Sequence, residues 1–131
     1  MKQRYIFWIG LLLYAASFFL IAVVGRGPIP GYICAYSALS FPWGGNLFGP
    51  FGIFENKIPE YFAVLISGWI NLVFLIAAVL AIRDGSPRVV ARLRIAVILM
   101  IPWCWVVFHY QDLYPREGHF VWIFGILLTL F

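Results

Sequence analysis

Residues Tyr61–Ile82 read YFAVLISGWINLVFLIAAVLAI, and after the polar turn Arg83-Asp-Gly-Ser-Pro-Arg88 the chain resumes at Val89–Tyr110 as VVARLRIAVILMIPWCWVVFHY. Each stretch is 22 residues long. At about 1.5 Å of rise per helical residue, either one crosses a hydrocarbon core about 30 Å thick. Gly85 and Pro87 break the helix between them, which predicts an antiparallel hairpin. Two further apolar runs flank the pair, Tyr5–Val24 and Phe120–Phe131.

The whole chain fits the same solvent. It is 131 residues long, 64% hydrophobic and 11% charged, where soluble domains carry roughly 25% charge. Lipid removes the need to hide so much apolar surface. A closed barrel would need ten-residue strands alternating apolar and polar, whereas these runs are apolar all round. The predicted fold is therefore an all-α integral membrane protein, a single-domain four-transmembrane-helix bundle. Its helices are expected at about 5–24, 61–82, 89–110 and 118–131, with a long outer loop at 25–59. Met1-Lys-Gln-Arg4 resembles the charged start of a signal peptide. The apolar run behind it is too long for one, so a retained first helix is expected. The fourth helix is short for a full crossing, a mismatch that costs fractions of a kcal/mol per Å.

The net charge of +4 is distributed unevenly. Lys2, Arg4, Arg83, Arg88, Arg92 and Arg94 belong to the amino terminus and the second connection. Arg26, Lys57 and Arg116 belong to the other side. By the positive-inside rule both termini are predicted cytoplasmic, in a plasma (inner) membrane. The basic side chains are expected beside anionic headgroups, so the partner is the lipid bilayer and not nucleic acid.

The outer loop, Gly25–Pro59, has seven Gly, five Pro and seven aromatic residues, but only Arg26, Glu55 and Lys57 carry charge. Ile33–Trp43 is expected as a short helix at the interface or dipping into the bundle. Tyr32, Tyr36, Trp43 and Phe48 suit a headgroup boundary. The expected role is a lid resting on the bundle, the alternative a gate or docking surface.

Two groups of residues are candidates for function. His109, Asp112, Glu117 and His119 fall within eleven residues at the outer end of the third helix, and Glu55 and Glu60 lie on the same side. Imidazoles and carboxylates are ligands for Zn²⁺ or Fe²⁺, so a divalent metal is one reading of the first four. The other reading is interfacial side chains that end helices and pair with Arg116. Ionisable groups near membrane depth are costly to place, which makes this cluster the first candidate. The second group is intramembrane: Tyr14 and Ser17 on the first helix, Ser67 and Asn71 on the second. Tyr14 shares its face with Gly10, and Gly68 adjoins Ser67. The structural reading is a hydrogen-bonded seam between those helices, with small residues permitting close approach. The functional reading is a polar path.

Pro102 predicts a kink near Ile98. Cys34 and Cys104 are expected as free thiols, because a bond between them requires the loop to dip into the bundle. No phosphate loop, activated serine or two-histidine zinc helix is present, and no cofactor is predicted. The expected function is a non-catalytic accessory subunit or self-associating scaffold, with a second copy or a larger membrane complex as partner. An oligomeric channel or carrier with a path near Asn71 is the alternative. A membrane enzyme acting on a lipid or quinone through the outer His/Asp/Glu group is the third.

Overall fold

The computed structural model describes residues 2–40, 58–83 and 85–131; of these, the side chains at 2, 3 and 58–61 are not described. Within them the chain is mostly helical. Its order is α1 (Lys2–Ser17), β1 (Ile21–Val24), β2 (Pro28–Pro30), α2 (Gly31–Ser40), α3 (Ile58–Ile82), α4 (Pro87–Tyr110), β3 (Tyr114–Pro115) and α5 (Glu117–Leu130). Two helices, Phe62–Ile82 and Pro87–Tyr110, are long and apolar enough to cross a membrane, and α1 and α5 are shorter apolar helices. The hairpin of α3 and α4 forms as the turn chemistry predicts, with Pro87 opening α4 where its missing N–H costs nothing. Helix α4 continues without a break across Pro102.

The first run departs from expectation. Helix α1 stops at Ser17, and Ile21–Val24 forms a strand instead of finishing a helix to residue 24. Ser17 Oγ donates to Tyr14 O, and Phe18, Phe19 and Leu20 N–H groups donate three residues back, which tightens and ends the helix. The following Ile21, Val23 and Val24 are β-branched, and β-branched side chains favour a pleated surface. β1 sits at the centre of a three-stranded antiparallel sheet of order β2-β1-β3, pairing Val24 with Pro28 and with Tyr114. The prolines fall on the edge strands, where a missing donor is tolerated.

Helix α2 gives the loop the helix it was expected to contain, two residues earlier than predicted. Gly31 and Tyr32 N–H groups donate to Leu20 O and Phe18 O, so α2 starts directly against the end of α1. A methyl group on Gly31 would lie 2.6 Å from Ser17 O. At its other end α2 packs on α3, where a methyl group on Gly68 would collide with the Ala38 backbone. The loop helix therefore dips into the bundle. Phe41–Lys57, with Trp43, Phe48 and Glu55, lies outside the described residues.

Two antiparallel helix pairs make the frame, α3 with α4 and α1 with α5. The second pair depends on glycine. A methyl group on Gly10 would stand 2.6 Å from Thr129 N, and one on Gly125 would stand 2.5 Å from Tyr14 N. The small residue on the face of Tyr14 thus serves α5, not the contact with α3 that sequence predicted. Between the pairs lies a core that includes Tyr14, Ile70, Phe74, Val97, Trp122 and Ile126.

Candidate functional site: a polar seam and the cavity beside it

Asn71 stands on α3, facing both α1 and α5. Its Oδ1 accepts from Tyr14 Oη at 3.0 Å and from Trp122 Nε1 at 2.9 Å. The predicted partners Tyr14 and Asn71 are therefore joined, and sequence reasoning missed the third member. Trp122 was legible in one respect: Gly118, Trp122, Gly125 and Thr129 recur at helical spacing along α5, and all four are buried.

Ser17 and Ser67 do not bridge helices. Ser17 Oγ donates to Tyr14 O and Ser67 Oγ donates to Val64 O, each within its own helix. Both instead line a cavity of about 90 Å³, between the sheet and the seam. Cys34, Cys104, His119 and Trp122 share its wall, which is otherwise mainly apolar, with Phe18, Val64 and Phe108 among the lining residues. The cysteines are free thiols that line one cavity because α2 dips inward. Burial pushes the Cys34 thiol up to about 12, so it is protonated and a poor nucleophile at neutral pH.

The outer group divides. His119 lies on the inward face of α5, 5% exposed, its ring stacked on Trp122 at 5.6 Å and edge-on to Phe108 at 4.8 Å. Its Nε2 is buried and has no hydrogen-bond partner. His109, Asp112 and Glu117 are exposed. Glu117 pairs with Arg116 at 3.2 Å. The shared helix face expected for His109 and Asp112 does not exist, because α4 ends at Tyr110. Asp112 has φ of 50°, and Leu113 N–H donates to Phe108 O while Leu113 packs on Phe108. That is a Schellman ending with aspartate where glycine is usual. Among the described residues no three His, Cys, Asp or Glu side chains gather to hold a metal ion. Glu60 lies in the first turn of α3, with its side chain outside the description, and Glu55 is outside it altogether.

Among the described residues the chemistry of this arrangement is limited. Both serine hydroxyl protons are engaged with main-chain carbonyls, and the imidazole forms no bond to a nucleophile. What the arrangement does is mechanical: Asn71 ties three helices together, and Trp122 couples that tie to His119 and the cavity wall. No known family, curated protein or solved structure matches this chain.

Proposed function

We propose that this chain is a multi-pass membrane protein whose four spans are α1, α3, α4 and the apolar part of α5. Both termini face the cytoplasm across a plasma (inner) membrane. It acts without chemistry of its own, as an accessory subunit or self-associating scaffold. Several features support the membrane reading. The core helix of a soluble protein is mostly buried, but the apolar windows of α3 and α4 are only 33% and 17% buried. Trp8, Phe19, Trp69, Leu99, Trp103 and Phe124 are among many large apolar side chains left exposed, far more than a soluble monomer carries. The described basic residues of the amino terminus and second connection share one end of the bundle, as one-sided insertion requires.

The observation that carries the non-catalytic reading is the double acceptance by Asn71. The amide predicted to line a path is engaged in holding helices together. The short first helix supports a partner: α1 has 16 residues and is ended within the chain at Ser17, about 24 Å of helix against a core of about 30 Å. Association is one way a short span is accommodated.

Native mass spectrometry on protein released directly from its own membranes tests this reading. The expected spectrum shows a second copy or another polypeptide at fixed stoichiometry. A bare monomer would overturn the scaffold reading. Maleimide labelling of single cysteines tests topology. A membrane-impermeant reagent added outside should modify position 26 and spare position 88; the reverse pattern would invert the protein.

A further inference from the structure

The bundle end opposite the sheet carries a second site. Arg4 in the first turn of α1 and Arg94 in the second turn of α4 both line an open groove of about 700 Å³. Apolar side chains of Ile6, Phe7, Ile82 and Leu130 from α1, α3 and α5 also line it, beside somewhat more polar surface. Arg94 Nε is buried and has no hydrogen-bond partner, and the guanidinium carbon lies 5.8 Å from the centroid of the Phe131 ring. An arginine carries five N–H donors and no acceptor, and a buried Nε–H left without an acceptor favours an anion beside it.

Among the described residues no Asp or Glu side chain pairs with Arg94. The ion pair present there, Arg116 with Glu117, is at the opposite end. Of the five carboxylate residues in the sequence, only Asp84 belongs to the basic end, against Lys2, Arg4, Arg83, Arg88, Arg92 and Arg94. We propose that this groove binds an acidic phospholipid, its phosphodiester held between Arg4 and Arg94 and the upper part of an acyl chain lying on the apolar side chains. Two guanidiniums match phosphate oxygens as planar forks. A zwitterionic lipid brings its own ammonium and gains less, and free phosphate leaves the apolar side chains uncovered.

The proposal rests on the membrane reading above, and its test separates the two. The full chain is placed in nanodiscs of equal phosphatidylglycerol and phosphatidylcholine, and the lipids retained in native mass spectra are counted. One phosphatidylglycerol should be retained in preference. Arg4→Gln and Arg94→Gln should each lower that retention about fivefold. Arg83→Gln, which removes the same charge from the same end outside the groove, should leave it unchanged. Should Arg94→Gln fail to fold, Arg94→Lys takes its place, keeping the charge and losing the fork, with a smaller drop expected. Equal losses from Arg83→Gln and Arg4→Gln would overturn the site in favour of diffuse surface attraction. Displacement of the lipid by excess inorganic phosphate would make the free anion the ligand. Equal retention of both lipids by inserted protein would refute the groove and leave the membrane reading standing. Failure to enter nanodiscs of any composition would refute both.

Discussion

Replacing Asn71 by leucine tests the seam most directly. Leucine is close in size and offers no acceptor, so Tyr14 Oη and Trp122 Nε1 lose the oxygen they share at 3.0 and 2.9 Å. Both donors are buried, at 6% and 9% exposure, and leucine gives them nothing in its place. Interhelical hydrogen bonds in membranes average about 0.6 kcal/mol and reach about 1.7. Two bonds give about 1.2 kcal/mol, with a ceiling near 3.4 kcal/mol if both sit at the strong end. Tyr14→Phe removes one donor and leaves Asn71 with Trp122, so it should cost about 0.6 kcal/mol. Adding Tyr14→Phe to Asn71→Leu should cost almost nothing more, because the hydroxyl it deletes is already orphaned. Reversible unfolding in mixed micelles, followed by circular dichroism at increasing mole fraction of dodecyl sulfate, measures all three variants. Strictly additive losses, or an Asn71→Leu variant as stable as the parent, would refute the seam.

Other perturbations follow from the same geometry. Gly125→Ala places a methyl group 2.5 Å from Tyr14 N and 2.9 Å from Gly10 O, backbone atoms that cannot rotate away. A loss of about 1–3 kcal/mol is expected in the same unfolding assay. Asp112→Gly removes the cost of a left-handed backbone at φ 50° and should stabilise the protein by up to about 1 kcal/mol; a destabilised variant would point to a role for the carboxylate. Cys34, with its thiol near 12, should be alkylated about tenfold faster per unit of pH between 8 and 10, read by mass spectrometry of the modified peptide. Glu117 is held below the usual carboxylate range by its own backbone N–H and then by the Arg116 side chain. Its small stabilising effect is present above the unfolded carboxylate pKa and disappears as pH falls through the lower folded value. Arg116→Gln should move the Glu117 titration upward in carboxylate-resolved NMR.

Long uniform segments were the easiest to read from sequence. Tyr61–Ile82 holds its apolar character for six turns and Val89–Tyr110 does so from Ile95 onward, and Gly85 and Pro87 separate them sharply, so hairpin and turn are both legible. Tyr5–Val24 is equally apolar, yet hydropathy alone does not distinguish helix from strand. The change to β-branched residues at Ile21, Val23 and Val24 was the available signal. Proximity along the chain groups His119 with His109 and Asp112, but it is not proximity in space. It falls one residue after Gly118 and three before Trp122, and helical phase turns it inward, away from His109 and Asp112. Gly10 reads as a close-packing residue and is one, but which helix it meets depends on long-range topology that no local pattern encodes.

The α1–α5 pairing, with β1 and β3 joined beside it, has a consequence for the order of assembly. The hairpin of α3 and α4 needs only a four-residue turn and can form while later residues are still being synthesised. Helix α1 is made before that hairpin and its glycine face is matched by α5, made after it, so that face stays uncovered until Gly125 and Thr129 have left the ribosome. Contacts between such distant segments are slow to form, and the exposed surface meanwhile is open to wrong partners. A chain cut after Tyr110 should keep its central hairpin and leave α1 without its mate. Quality control would then act on a helix made early because of a defect in one made later.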